Sequence, residues 1–378
     1  MRIEKLEYYD DEYKWRLAEV DFLPNLNLLV GISGVGKTRI LESIKSLKSI
    51  ANGVSLNGVQ WNISFSVENN LEYTWNGQFE TREDTTLIDD SVDEEEPAKL
   101  ISEKLIFRND RVIAERKGSS IIFDGKETPR LSPFESVINL FKQEDEVTLV
   151  KAALDKIIPI DFEEPYRYWR MTAPIFQKFE NTSLSTLQNS GLFILPKLSI
   201  LYKNLPEEFQ KIKDTFMTIF PQVSDMRIGT VASKNSPLIL SQFLQEVNTV
   251  RIKEKGVDAW IDNISSGMLK TLMYISGLYL SPENSVVLID EFENSLGVNC
   301  LDHVTRFVLD NKRLQFMITS HHPYIINNIS PAYWKIVTRK AGIVTVKRAE
   351  DFHISSSRQK AFVDLINILE DDEDLETV

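Results

Sequence analysis

The sequence predicts a mixed α/β fold organised around a phosphate-binding loop, and three stretches carry that prediction. Gly31-Ile32-Ser33-Gly34-Val35-Gly36-Lys37-Thr38 has two glycines flanking four residues, then Lys and Thr. An apolar run, Leu26 to Val30, leads into it, and an amphipathic run, Arg39 to Ile50, leads out. Ser285 to Ile289 is a second apolar run and ends in Asp290-Glu291, and Leu314 to Thr319 is a third and ends near His321-His322. Strand, loop and helix around a Gly-x4-Gly-Lys-Thr pattern are the context that separates a phosphate site from a glycine-rich turn.

Within the loop, the glycines let the backbone wrap so that its N–H groups point inward at phosphate oxygens. The helix that follows adds the positive end of its dipole. The residues expected to contact nucleotide are Gly31, Ser33, Gly34, Val35, Gly36, Lys37, Thr38 and Arg39. Lys37 is expected at the β- and γ-phosphates of ATP, and the Thr38 hydroxyl on Mg²⁺.

Composition sets the class. The chain has 378 residues, 42% hydrophobic and 26% charged, as ordinary globular proteins do. No apolar run approaches the ~20 residues that span a bilayer, so no membrane association is expected. Met1-Arg2-Ile3-Glu4-Lys5 is charged and reads directly into a strand rather than a signal peptide. The single cysteine, Cys300, excludes an internal disulfide framework and a cysteine-based zinc cluster, and is expected buried on a helix. A cytoplasmic location follows. The net charge of -13 disfavours a basic whole-protein surface for nucleic acid, though not a local basic groove.

In chain order, residues 2 to 9 and 13 to 20 read as strands joined by Asp10-Asp11-Glu12. Tyr8, Tyr9, Tyr13 and Trp15 either stack on an adenine or pack the sheet. After the loop helix, Val59 to Val67 and Leu71 to Trp75 form a hairpin at Asn69-Asn70. Lys104 to Phe107, Arg111 to Ala114 and Ser120 to Phe123 add strands, so 51–124 is a β-rich segment. The acids of Asp89 to Glu96 read as a solvated loop. From Pro133 to Phe220 the spacing is helical: Phe134, Val137, Ile138, Leu140 and Phe141, then Val147, Leu149, Val150, Leu154 and Ile157. Helices are expected over Leu192 to Leu201 and Pro206 to Phe220. Strands return at Met226 to Val231 and Leu238 to Val247. Ser265 to Leu280 and Val298 to Leu309 are helices between the apolar strands. The expected division is 1–132, the N-terminal half of the core with the β-rich segment, and 133–221, an inserted helical arm. The C-terminal half of the core follows at 222–350, and a C-terminal helix with an acidic tail at 351–378.

The acid-tipped strand supplies the chemistry. Asp290 is placed to hold Mg²⁺, directly or through water, and Glu291 to polarise the attacking water as general base. Asn263-Ile264-Ser265-Ser266-Gly267-Met268 opens a helix just before that strand. Asn263 or Ser265 is an N-cap, or the small residues make a second phosphate-facing helix start. A histidine ending a core strand can reach a γ-phosphate and sense hydrolysis; His321 is the candidate and His322 the alternative.

These motifs, in this order, resemble ABC-type ATPases, most nearly the soluble SMC, RecF and OLD-like branch. Ile264, Ser265, Ser266, Gly267 and Met268 occupy the five signature positions, with Ser266 for the usual Gly and Met268 for the usual Gln. Asp290 to Leu296 and Thr319 to Asn327 are typical of that branch in form. Such proteins are often labelled AAA family ATPases and occur in bacterial anti-phage operons of the Septu, PARIS and retron kinds. The chain ends about 55 residues after the histidine, too soon for the Toprim domain of OLD nucleases. Glu293 to Gly297 lacks the usual D-loop aspartate, and Gln78 and Gln143 are the candidates for a Gln-loop.

The resemblance implies a P-loop core of ABC-ATPase type with a β-rich segment and an inserted helical arm. It implies ATP and Mg²⁺ as cofactors, and a homodimer or higher homo-oligomer in which Ser265, Ser266 and Gly267 touch the partner's nucleotide. A protein effector from the same operon, a nuclease or toxin, is the implied partner, rather than nucleic acid bound directly. The alternatives are a DNA-repair or maintenance ATPase that binds DNA itself, for which no long heptad pattern is present, and a scaffold that holds ATP with little turnover. A transporter's energising subunit fits less well. A GTPase is disfavoured: no Asn-Lys-x-Asp base-reading motif is present, and Asn311-Lys312-Arg313 lacks the acid.

Overall fold

Leu26–Val30 and Gln315–Thr319 are buried at every position, as is Val286–Ile289. Runs covered on both faces belong to parallel sheets, and that is where these three lie. The computed structural model describes residues 1–82, 97–108, 110–160, 167–231, 246–294, 298–355 and 360–368. The chain divides into two units. Unit 1 comprises Met1–Pro159, Asn284–Phe292 and Asn311–Val378, and unit 2 comprises Ile160–Glu283 and Glu293–Asp310. Strands are numbered along the whole chain.

Unit 1 holds β1 (Arg2–Asp10), β2 (Trp15–Asp21), β3 (Leu26–Val30), β4 (Val59–Val67), β5 (Leu71–Phe79), β6 (Leu100–Phe107), β7 (Arg111–Lys117), β8 (Ser120–Phe123), β9 (Lys126–Glu127) and β10 (Ile157–Pro159). It also holds β15 (Val286–Ile289), β16 (Gln315–Thr319), β17 (Trp334–Lys340) and β18 (Ile343–Arg348). They make one 14-stranded sheet in the order β10-β15-β16-β3-β17-β18-β2-β1-β4-β5-β6-β7-β8-β9. From β10 to β17 all pairings are parallel. From β2 to β9 all are antiparallel. The β-rich segment is therefore a continuation of the nucleotide-core sheet.

The helix α1 (Lys37–Ala51) buries Ile40, Leu41, Ile44, Leu47 and Ile50, the spacing of one helical face. α2 (Val137–Leu140) and α3 (Asp145–Asp155) bury Val137, Ile138, Val147, Val150 and Leu154 in the same core as Trp61, Trp75 and Phe79. The fully buried Glu103 carboxylate ties α2 to the sheet. It accepts from Trp75 Nε1 at 2.8 Å, from the Ser136 hydroxyl at 2.5 Å and from the Val137 N–H at 2.7 Å.

Three expectations differ here. The helical arm does not begin at 133, because Val137 to Leu154 pack into the core of unit 1. Ile157 continues no helix: Pro159 cannot extend one, and Ile157–Pro159 instead pairs parallel with β15. Leu149 is exposed.

In unit 2, β11 (Trp169–Arg170), β12 (Val223–Thr230), β13 (Val247–Glu254) and β14 (Trp260–Ile261) form a second sheet, with β13 paired to the other three. Around it are α4 (Ala173–Lys178), α5 (Leu184–Gln188), α6 (Ile194–Asn204), α7 (Pro206–Ile219), α8 (Ser266–Tyr279) and α9 (Val298–Asp310). The strands expected beyond 222 thus group with the helical region, not with the P-loop core, so the division also departs from the expected boundary at 221. α7 faces inward through Phe209, Ile212, Phe216 and Ile219. Cys300 is buried on α9, its Sγ 3.1 Å from the Thr271 hydroxyl.

Among the described residues no helix is long and apolar enough to cross a membrane. The acid run Asp89–Glu96, most of the expected strand Leu238–Val247 and the acidic tail from Glu370 lie outside the described residues.

Candidate functional site

Gly36 caps α1 in the left-handed region, at φ 104°, and itself brings no side chain to the first-turn N–H groups. Those donors are the ones a helix start offers to an anion. Gly34 also has positive φ, 85°. Gly31 is required for a different reason: a Cβ there would stand 2.5 Å from the Val337 carbonyl oxygen of β17. The Lys37 ammonium lies within the loop and donates to Gly31 O and Ile32 O, both at 2.8 Å. Val35 is buried, whereas Ser33, Gly34, Thr38 and Arg39 are exposed.

The aromatic residues ahead of the loop divide. Tyr8 and Trp15 are buried against each other, ring centroids 6.0 Å apart, so they pack the sheet. Trp15 also walls the loop, its Nε1 3.2 Å from where a Cβ on Gly36 would be. Tyr9 donates its hydroxyl proton to Asp11 Oδ1 at 2.6 Å. Tyr13 alone of the four is exposed, with the Arg39 guanidinium 5.7 Å from its ring centre.

β16 lies between β3 and β15, all three parallel, so their C-terminal ends share one edge of the sheet. The P-loop leaves β3, Asp290 and Glu291 leave β15, and His321 leaves β16. Thr319 donates its hydroxyl proton to Asp290 Oδ1. The Thr319 hydroxyl oxygen accepts the Glu291 N–H at 2.8 Å, and the Thr319 carbonyl accepts the Phe292 N–H at 3.1 Å. Glu291 has φ 43°, left-handed backbone that a residue with a Cβ seldom adopts. The two histidines are distinct. His322 caps the helix Pro323–Asn328, its Nδ1 accepting the Tyr324 N–H at 3.2 Å. His321 is exposed at the strand tip.

Ser265, Ser266 and Gly267 belong to unit 2. Ser265 is the N-cap of α8, its hydroxyl accepting the Met268 N–H at 3.2 Å. Asn263 is not the cap: with the Ile264 carbonyl, 2.7 Å away, it accepts from the Arg167 guanidinium. Ser265 and Ser266 are exposed.

A family model described as "AAA domain, putative AbiEii toxin, Type IV TA system" matches residues 26–327. The chain belongs to this AAA-domain family. The match takes in the P-loop strand, the acid-tipped strand and His321. The AAA-domain chain has a P-loop NTPase fold, the nucleotide-binding class expected from its motifs. Among solved structures, it is similar to an Smc head bound to the C-terminal winged-helix domain of ScpA, at 14% identity over 92% of this chain and 97% of that one, with a TM-score of 0.44. It is also similar to the Pyrococcus furiosus Smc head with an extended coiled coil, bound to the ScpA C-terminal domain, at 13% identity over 93% and 97%, TM-score 0.44. A third is the SMC head domain from Thermotoga maritima, at 11% identity over 92% and 99%, TM-score 0.41. No curated protein matches the chain.

The residues that could hold Mg²⁺, as expected from the motifs, are Thr38 through its hydroxyl and Asp290 through its carboxylate. Among the described residues no group of three or more His, Cys, Asp or Glu could hold a metal ion. A sparse oxygen set suits Mg²⁺, which takes one or two protein ligands and fills its octahedron with water and phosphate oxygens. No part for Thr319 is legible in the sequence. Its only signal was a hydroxyl residue ending an otherwise apolar strand, and its partners are on a strand distant in sequence.

Proposed function

We propose that the chain is a Mg²⁺-dependent ATPase that cleaves the γ-phosphate by in-line attack of water. The reading is supported by the common sheet edge that carries the P-loop, the Asp290–Glu291 pair and His321. Gly31, Ser33, Gly34, Val35 and Gly36 present backbone N–H groups to the phosphates, and Lys37 turns from its own loop carbonyls to the β- and γ-oxygens. Thr38 and Asp290 hold Mg²⁺, which when bound neutralises charge on those oxygens. Glu291 accepts the proton of the attacking water. His321 contacts the γ-phosphate and reports its loss, and His322, committed to its helix cap, does not. Arg39 and the exposed Tyr13 flank the base.

Ser265, Ser266 and Gly267 face the nucleotide of a second copy, so that ATP closes a homodimer and hydrolysis opens it. The output reaches a protein effector, a nuclease or toxin, in the cytoplasm. Support for that setting comes from the family description, which names a toxin and a type IV toxin–antitoxin system.

Glu291→Gln is the direct test. It leaves ATP affinity within about twofold and lowers turnover by about 10²-fold or more, because only the base is removed. Unchanged turnover in this variant would take Glu291 out of the mechanism.

A further inference from the structure

We propose that Thr319 is the positioning residue of this site, its hydroxyl setting both acids at once. The proposal rests on the reading of Asp290 as a metal ligand and Glu291 as the base. A threonine hydroxyl has one proton to give and lone pairs to receive. Here the proton goes to Asp290 Oδ1, and a lone pair takes the Glu291 N–H at 2.8 Å. Nothing about that hydroxyl is left to rotate. Asp290 is turned by a donor to one oxygen, which orients the other, Oδ2, for a cation. Glu291 is held by its own N–H in left-handed backbone at φ 43°. Such a conformation is strained and persists where neighbours over-determine it. The over-determination is visible: Thr319 also accepts the next N–H, that of Phe292, through its carbonyl at 3.1 Å, and the Phe292 side chain is fully buried.

Thr319 is 1% exposed, so water does not compete for these bonds. It ends the strand that delivers His321 two residues later. The hydroxyl therefore joins the strand carrying the histidine to the strand carrying the acids, and a shift of one end of β16 is felt by both carboxylates. Loss of a partner that orients a metal-binding carboxylate costs about 10- to 100-fold in metal affinity or activity.

Thr319→Val keeps the shape and removes the hydroxyl; Thr319→Ser keeps the hydroxyl and removes the methyl. Mn²⁺ binding to the full chain with a non-hydrolysable ATP analogue, followed by electron paramagnetic resonance, is read beside turnover. Thr319→Val weakens Mn²⁺ by about tenfold or more and lowers turnover to match. Thr319→Ser stays within about threefold of the parent, since the bonded oxygen remains. Equal Mn²⁺ affinity and turnover in Thr319→Val and the parent would overturn the proposal. So would a Thr319→Ser variant as impaired as Thr319→Val, which would assign the effect to methyl packing. Asp290→Asn separates the two layers: if it too leaves Mn²⁺ affinity intact, the metal-ligand reading falls and the proposal falls with it.

Discussion

The Lys37 ammonium stands 2.8 Å from the carbonyl oxygen of Gly31. The first glycine of the loop motif and its lysine thus touch, and Gly31 itself is pressed against β17, where the Val337 carbonyl oxygen would meet a Cβ at 2.5 Å. Backbone cannot yield as a flexible side chain can. Gly31→Ala is therefore expected to cost about 1–3 kcal/mol of stability and to displace the Lys37 acceptor. Gly34→Ala, with open space around it and only its positive φ to oppose, is expected to cost about 1–2 kcal/mol. Denaturant unfolding of both variants, with ATP titration, checks this. Larger damage from Gly34→Ala than from Gly31→Ala would contradict the packing argument.

A second prediction concerns pH. Lys335 is buried in β17 and donates to the Asp21 carbonyl. Burial first, then the Arg348 charge, lower its pKa from 10.5 to about 8. Between those values the unfolded chain binds the extra proton and the folded chain does not, so this group makes stability rise with pH across roughly pH 8 to 10.5. Lys335→Met is expected to flatten that rise. Tm measured from pH 7 to 10.5 on both proteins reads it, and parallel curves would mean that Lys335 does not titrate as described.

The core was legible where local pattern decides structure. The amphipathic spacing from Ile40 to Ile50 gives α1, and the unbroken apolar runs give β3, β15 and β16. What pairs across distance was not. β10 is three residues ending in a proline and is a strand only because Val286–Leu288 lies beside it. β17 places a lysine at a fully buried position, which masks its pattern; the compensating acceptor, Asp21 O, is 314 residues away. At the site, the Gly-x4-Gly-Lys-Thr spacing and the acid-tipped strand could be read because each is contiguous. That His322 caps the helix Pro323–Asn328 needed its contact with the Tyr324 N–H, and the bonds of Thr319 to Asp290 and Glu291 needed the register that sets Ile318 opposite Ile289.

The third prediction addresses pairing of two copies. Gly267 sits in the first turn of α8. Gly267→Asp adds a side chain and a negative charge where a second copy's γ-phosphate is proposed to lie. It is expected to leave ATP binding at the P-loop within about twofold and to abolish ATP-dependent dimerisation by light scattering, like charges at close range being mutually excluded. ATP-driven pairing and turnover equal to the parent's would reduce Ser265, Ser266 and Gly267 to a helix start.

The measurement that bears most directly on the whole account is phosphate release from ATP by the full chain, with and without Mg²⁺, beside Lys37→Ala. The account predicts steady Mg²⁺-dependent release by the parent protein. In Lys37→Ala release should fall to background, together with a loss of about 100-fold or more in ATP affinity, since a charge-assisted contact of about 3 kcal/mol at the phosphates is removed. Release by the parent no faster than by Lys37→Ala, or ATP affinity unchanged between them, would contradict it.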